Sequence, residues 1–221
     1  MKQCVIFDMD GVIIDSEPIH KASEKAIFRL LKISLTEEEH NAFVGTTDET
    51  MWISLVESFN LTVNVDEIIQ LKKSLYFESL KQNENIQPIC FIPKLIAGLH
   101  KKGFSLVLAS SAPREQIDFI LDAFNLKLYF QSIISGEDVK NGKPNPEIFI
   151  KAAEAVGIKP GKCIVIEDSL NGIIAAKKAD MKCIGYYNPH SGNQNLSQAD
   201  MIITSFDQIS VKSIKKLISV S

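Results

Sequence analysis

The sequence VIFDMDGVIIDSEPIH, from Val5 to His20, joins an apolar run to two acidic residues and a glycine. The run CVIF before Asp8 has the length and composition of a buried β-strand. Asp8, Asp10 and Gly11 then follow. Burying a carboxylate costs free energy unless it is paired or binds a cation. A buried strand that ends in two carboxylates therefore predicts a functional site at its end, whereas Asp-x-Asp-Gly in isolation is more often a turn.

Composition limits the class of protein. The chain has 221 residues, a formal net charge of −3 and 45% hydrophobic residues, which suits one large domain or two modest ones. No basic run indicates a nucleic-acid surface. No apolar run approaches the roughly 18 residues of a membrane span, and the N-terminal segment lacks the features of a signal peptide. We therefore expect a cytoplasmic protein without nucleic-acid or membrane partners, and a monomer by default.

The cysteines carry no sign of a disulfide or zinc site. Cys4, Cys90, Cys163 and Cys183 are widely spaced, and three of them lie in apolar, strand-like runs. Cysteine in such a run behaves as a small hydrophobic residue. The four histidines show no metal-binding spacing either. We expect all four cysteines to be reduced thiols in the core.

Strand-like and helix-like segments alternate along most of the chain. Short apolar runs such as FSLVLAS (104–110) and KCIVIE (162–167) are separated by amphipathic helical patterns, the last at 206–218. This alternation predicts an α/β fold with a doubly wound parallel sheet. Residues 16–86 show helical patterns only, with Trp52 and Phe59 as expected core residues. We therefore predict an all-helical insertion at 16–86, and a main domain formed by 1–15 and 87–221.

Several predicted strands end in residues capable of chemistry. In an open parallel sheet, ligands bind beyond the carboxyl ends of the strands, so side chains at these ends should converge. A further candidate lies in the loop NGKPNP. The predicted site residues, in chain order, are Asp8, Asp10, Ser110, Ser111, Lys143, Glu167 and Asp168.

This set of side chains suits phosphoryl transfer. Clustered carboxylates repel one another, and a divalent cation with a preference for oxygen ligands, Mg²⁺, relieves the repulsion. Ser110 can donate a hydrogen bond to a phosphate, and Lys143 supplies a positive charge. Asp8 is then the expected nucleophile and Asp10 the general acid and base. Whether Glu167 binds the metal or only orients the site is left open by the sequence.

The motifs also resemble a known family. DMDGV at 8–12, Ser110 after an apolar strand, Lys143 in GKP and EDS at 167–169 are similar to the four motifs of the haloacid dehalogenase-like superfamily. DSEPIH, LASSAPR, GKPNPEIF and EDSLNGI resemble its β-phosphoglucomutase-like branch over nearly the whole chain. The resemblance implies a Rossmann-like core with a helical cap, Mg²⁺ dependence and phosphoryl transfer through Asp8. It also implies that Asp10 binds Mg²⁺ through its backbone carbonyl.

The resemblance extends to the cap with some departures. A mutase histidine matches His20, and the cap loop at 44–50, with Thr46 and Thr47, is expected to face the core site. The mutase has an arginine where this chain has Asp48. It has a Lys-Asn pair where this chain has Pro113 and Arg114. Arg114 or Lys72 is a candidate for binding a distal anionic group of the substrate, with a solvated role as the alternative for each.

Three functions are consistent with these residues. The first is a Mg²⁺-dependent phosphomonoesterase acting on a small phosphorylated metabolite such as a sugar phosphate. The second is a β-phosphoglucomutase-type isomerase, in which a sugar hydroxyl replaces water as the phosphoryl acceptor. The third is a signalling receiver module, but receivers are shorter, lack the helical insertion and carry the acceptor aspartate on a later strand.

Overall fold

The structure is a computed structural model that describes residues 2–44 and 46–219. It contains two compact units. The first comprises residues 2–15, Gln87–Pro189 and residues 194–219, and the second comprises Ser16–Ile86 with His190–Asn193. A short segment from late in the sequence thus belongs to the second unit, although its polar composition gave no indication of this. Within the predicted cap loop at 44–50, Gly45 lies outside the described residues.

The second unit is helical in its described part. Its helices are α1 (Glu17–Leu31), α2 (Glu37–Asn41), α3 (Asp48–Ser58) and α4 (Val65–Gln82). The Thr36–Glu39 capping box expected from their spacing begins α2, since Glu39 N donates to Thr36 Oγ1 at 3.2 Å and Thr36 N donates to Glu39 Oε2 at 2.7 Å. Trp52 is fully buried in the core of this unit, with its ring edge-on to Phe28 at 5.6 Å.

A cluster of charged side chains is buried beside this core. Lys72 on α4 forms ion pairs with Glu24, at 3.1 Å, and with Asp48, the first residue of α3. His40 Nε2 lies 2.7 Å from the second carboxylate oxygen of Glu24. Burial by itself lowers the pKa of Lys72, but the Asp48 and Glu24 carboxylates outweigh it and hold this pKa above its ordinary value. Lys72 is thus a structural cation inside the helical unit.

The first unit is built on a six-stranded parallel sheet, which confirms the predicted α/β fold. Its strands are β1 (Cys4–Phe7), β2 (Ser105–Ala109), β3 (Ser132–Ile134), β4 (Cys163–Glu167), β5 (Lys182–Tyr186) and β6 (Met201–Ile203), in the order β3-β2-β1-β4-β5-β6. β1 pairs with β2 on one side and with β4 on the other. The chain order therefore reverses at β1, which is where doubly wound sheets place their ligands.

Helices pack on the sheet so that its central strands are covered on both faces. The helices of this unit are α5 (Ile92–Lys101), α6 (Arg114–Ala123), α7 (Glu147–Ala155), α8 (Leu170–Lys178) and α9 (Val211–Ser219). Cys4 and Ile6 of β1 face α7 and α8 in one apolar cluster. The alternate residues Val5 and Phe7 are equally buried, as expected for a strand inside a parallel sheet. No helix in the described part of the chain is both long and apolar enough to span a membrane.

Three local predictions were wrong. The single helix predicted over 206–218 is instead a 3₁₀ turn at Phe206–Gln208 followed by α9. The helix is interrupted because Ile209 is buried in extended backbone and the Ser210 side chain caps α9 by accepting from Ser213 N. Phe59 is 38% exposed, since α3 ends at Ser58. Cys90 is exposed just before α5, although the other three cysteines are buried, and all four are free thiols.

The ion pairs of Lys72 should stabilise the helical unit. Lys72→Ala leaves Glu24 and Asp48 without their cation, and we expect it to cost about 2 kcal/mol, less than the roughly 3–5 kcal/mol of a fully buried pair because Asp48 is partly exposed. Urea unfolding followed by the fluorescence of Trp52, the single tryptophan, measures this unit directly. The exposed neighbour Lys73 is the matched control, and Lys73→Ala should change stability by less than about 0.5 kcal/mol. Equal urea midpoints for the two variants would contradict the structural role.

Candidate active site

Three central strands bring acidic and hydroxyl side chains to one level of the sheet. Phe7, the last residue of β1, is in register with Leu108 of β2 and with Ile166 of β4. The residues that come next on these strands are Asp8, Ala109 and Glu167, followed on β2 and β4 by Ser110 and Asp168. The carboxyl ends of these strands therefore meet at one edge of the sheet, at the point where the strand order reverses.

Lys143 reaches this edge from the loop before α7 and joins two of the acids. Its Nζ lies 2.6 Å from Asp8 Oδ1 and 2.8 Å from Glu167 Oε1, and it also donates to the carbonyl oxygen of Ala109 at 3.4 Å. The side chains of Asp8, Glu167 and Lys143 are all buried. Three segments that are distant in sequence thus share one desolvated ion cluster.

Glu167 has both carboxylate oxygens engaged. Oε1 accepts from Lys143, and Oε2 accepts from Ser169 N at 2.7 Å and from Ser169 Oγ at 2.9 Å. The α8 residue behind it is Gly172, where an added Cβ would lie 1.7 Å from Glu167 Oε1. Only a residue without a side chain fits there, so the helix makes room for this carboxylate.

A divalent cation fits the acid cluster. Asp8, Glu167 and Asp168 are buried, and each offers a carboxylate oxygen within 4.8 Å of the others. Gly11, with φ +73°, follows the first acids, and an added Cβ would lie 1.9 Å from Asp168 Oδ2. The backbone at Gly11 therefore packs directly against a carboxylate of the cluster. Carboxylate oxygens are the ligands that hard divalent cations prefer.

The electrostatics of the cluster are dominated by burial and crowding. Burial, together with the charges of Glu167 and Asp10, raises the pKa of Asp8 to about 7 against the lowering effect of Lys143. Burial lowers the pKa of Lys143, but the two carboxylates beside it reverse this and hold its pKa above the ordinary value. Lys143 therefore remains an ammonium group, and the acids still exceed the positive charge beside them.

The other core residues predicted from the sequence lie around this cluster. Asp10 is half-buried and close enough for its charge to affect Asp8. Ser110 is buried, and its Oγ accepts a hydrogen bond from Ala112 N at 3.1 Å. Ser111 is exposed, with its backbone close to Gly136. Ser110 is therefore next to the acids in the sheet, whereas the Ser111 side chain is in contact with solvent.

Arg114 is engaged away from the acids. It begins α6, where its Nε donates to Asp118 Oδ2 at 3.2 Å and its guanidinium also donates to the carbonyl oxygen of Ile133 at 3.4 Å. Its backbone N donates to Glu137 Oε2. These contacts tie Arg114 to its own helix and to the segment of Ile133 and Glu137, and its part in binding substrate stays a prediction.

The predicted cap residues His20, Thr46 and Thr47 each have a contact inside the helical unit. The His20 ring stacks on Tyr76 with ring centres 4.1 Å apart. Thr46 Oγ1 donates to the carbonyl oxygen of Phe43 at 2.7 Å, and Thr47 caps α3 by accepting from Thr50 N at 3.1 Å. Each thus has a structural role in its own unit, and a role in substrate binding stays a prediction.

One residue that shapes the site was missed by the sequence reasoning. Glu147, the first residue of α7, accepts hydrogen bonds from Lys140 N and Asn141 N, both at 3.1 Å. The hydrogen bond from Lys140, with help from the ammonium group of Lys151, lowers the pKa of Glu147 to about 2. Glu147 therefore closes the loop that carries Lys143. Its position after Pro146 is visible in the sequence, but nothing in the sequence indicates that it binds the backbone of this loop.

The raised pKa of Asp8 predicts a pH-dependent cost to folding. Unfolded, this carboxyl has a pKa near 3.8, so the stability it contributes is fully present below about pH 4 and is lost as pH rises through about 7. In metal-free protein, Asp8→Asn should therefore raise the melting temperature about twice as much at pH 8 as at pH 5. Thermal unfolding in chelator measures this, with the exposed Asp207→Asn as control. An equal rise in melting temperature at both pH values would show that the charged form of Asp8 does not destabilise the folded protein.

Comparisons with known proteins agree with the fold described above. The family model of the haloacid dehalogenase-like hydrolases matches residues 5–186. The phosphorylated carbohydrates phosphatase of Thermotoga maritima is 31% identical over 195 residues, covering 86% of this chain and 87% of the relative. Two solved structures share the fold at 23% identity. One is a haloacid dehalogenase hydrolase from Entamoeba histolytica (TM-score 0.86, 99% of this chain and 100% of that one), and the other is a β-phosphoglucomutase from Clostridium difficile (TM-score 0.81, 100% and 98%). The chain belongs to the haloacid dehalogenase-like hydrolases.

Proposed function

We propose that the protein is a Mg²⁺-dependent phosphomonoesterase that acts on a small phosphorylated metabolite through an aspartyl-phosphate on Asp8. The observation that carries this proposal is the buried cluster of Asp8, Glu167 and Asp168, in which Asp8 and Glu167 pair with one ammonium group, that of Lys143. An excess of acid over fixed positive charge suits a site that takes up a cation and then a phosphate. The name of the Thermotoga relative supports phosphorylated carbohydrates as the first substrates to test.

The proposed chemistry proceeds in two displacements at phosphorus. A carboxylate oxygen of Asp8 attacks the phosphate ester, and the bond from phosphorus to the leaving oxygen breaks while Asp10 gives that oxygen a proton. A water molecule then attacks the phosphorus of the acyl phosphate, Asp10 takes a proton from it, and the Asp8 carboxylate is released with inorganic phosphate. When bound, Mg²⁺ would neutralise negative charge on the phosphate oxygens. Asp8, Asp168 and the backbone carbonyl of Asp10 would hold it.

Lys143 and Ser110 bind the phosphate oxygens in this proposal. Lys143 is held by Glu167, whose two oxygens are occupied by Lys143 and Ser169. We therefore assign Glu167 to orienting Lys143 and not to direct metal binding. When Asp8 becomes phosphorylated, its contact with Lys143 can pass to the phosphate, because the ammonium group donates equally well to either acceptor.

A mutase is the second candidate, because it would use the same core residues. The sequence resemblance sets an arginine of the mutase at the position of Asp48, and here Asp48 pairs with the buried Lys72. The absence of this arginine favours water, and not a sugar hydroxyl, as the acceptor of the phosphoryl group. Formation of glucose 6-phosphate from β-glucose 1-phosphate, without release of phosphate, would support the mutase instead. The monomeric state and cytoplasmic location stay predictions from the sequence.

The nucleophile is tested by Asp8→Asn. With Mg²⁺ and a panel of phosphorylated sugars and other small phosphomonoesters, we expect the wild-type protein to release inorganic phosphate. Asp8→Asn should lower kcat at least about a thousandfold, because the amide has no charge with which to attack phosphorus. Asp207→Asn is the matched control and should retain activity. A folded Asp8→Asn variant with activity near wild type would exclude the aspartyl-phosphate.

The metal assignment is tested by titration calorimetry with Mg²⁺ in the absence of substrate. Asp168→Ala should raise the Mg²⁺ dissociation constant at least about tenfold, since it removes a proposed ligand. Glu167→Gln should change it much less while lowering kcat, because Glu167 acts on Lys143. Equal weakening of Mg²⁺ binding by both substitutions would mean that Glu167 is itself a ligand.

A further inference from the structure

The loop after β5 contacts the candidate site at two points. The buried side chain of Asn188 donates through Nδ2 to the carbonyl oxygen of Gly11 at 3.2 Å. Gln194 Oε1 accepts from Leu170 N at 3.0 Å. Between them, His190–Asn193 belongs to the helical unit. The two amide side chains thus mark the points where this loop leaves the first unit and returns to it.

The orientation of each amide is fixed by its partner. A carbonyl oxygen only accepts hydrogen bonds, so Asn188 must present its NH₂ group to Gly11. A backbone N–H only donates, so Gln194 must present its oxygen to Leu170. Asn188 therefore acts as a donor and Gln194 as an acceptor, and the two positions should respond differently to the same chemical change.

Both partners belong to segments that carry the site acids. Gly11 lies directly after Asp10, and its Cα is so close to Asp168 that a Cβ would overlap the carboxylate. Leu170 is the first residue of α8 and follows Asp168 and Ser169. One loop therefore holds the chain at the end of β1 and the chain at the end of β4.

These hydrogen bonds oppose the electrostatic repulsion between the two acid-bearing segments. Asp8 and Asp168 carry like charges in a buried site, and their repulsion favours separation of the two segments whenever no cation is bound. Neutral amides can fix the backbone without adding to the excess of negative charge. A backbone held in this way keeps the carboxylates close enough together to share one ion, which lowers the cost of binding it.

We propose that Asn188 and Gln194 are positioning residues for the cation site, which set the separation of the two acid-bearing segments and so raise Mg²⁺ affinity. This inference rests on the proposed function only for the identity of the cation.

The test is to convert each amide to a carboxylate and measure Mg²⁺ binding by calorimetry without substrate. Asn188→Asp loses its donor, and we expect the dissociation constant for Mg²⁺ to rise about tenfold even though a negative charge has been added near the acids. Gln194→Glu keeps its acceptor and should bind Mg²⁺ as wild type does, whereas Gln194→Leu should bind it several-fold more weakly. Asn195→Leu is the control, because its amide is exposed and accepts a hydrogen bond from Ser197 N in the same loop.

Hydrogen exchange adds a readout that is independent of the metal. In Gln194→Leu, the amide of Leu170 should exchange faster than in wild type or in Gln194→Glu. The Gln194 series also remains informative if Asn188→Asp fails to fold, because Gln194 is only half-buried.

The outcomes separate this inference from the proposed function. Wild-type Mg²⁺ affinity in both Asn188→Asp and Gln194→Leu would overturn the inference and leave the function standing. Weaker binding in Gln194→Glu as well as in Gln194→Leu would also overturn it, because the acceptor would then not matter. A protein that shows the predicted Mg²⁺ pattern but hydrolyses no phosphomonoester would support the inference and refute the function. A wild-type protein without Mg²⁺ affinity would refute both.

Discussion

The repulsion among buried carboxylates at the ends of β1 and β4 is the constraint around which the first unit is arranged. Two of these acids, Asp8 and Glu167, share the ammonium group of Lys143, at 2.6 and 2.8 Å, and a carboxylate oxygen of Asp168 lies within 4.8 Å of an oxygen of each. The surrounding chain accommodates these closely spaced carboxylates in two ways. It has no side chain where the carboxylates need space, at Gly11 and Gly172, and Glu147 fixes the backbone of the loop that carries Lys143.

The sheet and its acid cluster could be predicted because they depend on local pattern and on topology. Strands covered on both faces are continuous apolar runs, which are visible in the sequence, and parallel pairing forces their ends to one edge. Asp8 and Asp168 come directly after such runs, so their convergence follows from the fold class. Lys143 lies in a loop, and its role as a positive charge at this site was predicted from the chemistry of phosphoryl transfer and the resemblance to a family, whereas its contact with Asp8 was not predicted.

The contacts that were not predicted involve partners far apart in sequence. A lysine at position 72 of an amphipathic helix suggests a solvated side chain or an anion site, and neither pattern nor spacing indicates that it pairs with Glu24 inside the unit. The amides of Asn188 and Gln194 lie in a polar loop, where most such residues face solvent. The break at Ile209 arises because an apolar residue can be buried as well in extended backbone as in a helix, so helical periodicity alone could not reveal it.

The two buried ion clusters of this chain show how charge balance can distinguish structure from function. In the helical unit, Lys72 pairs with Glu24 and Asp48, and the His40 ring contacts the remaining oxygen of Glu24. Asp48 is also partly exposed to solvent. Each charge in this cluster therefore has a partner within the fold or in water. At the strand ends, one ammonium group faces an excess of buried acids. Such an excess is costly in the isolated protein, as the raised pKa of Asp8 indicates. A protein can keep such an unfavourable cluster when a bound ligand neutralises it. Because the cluster has an excess of negative charge, that ligand must be a cation.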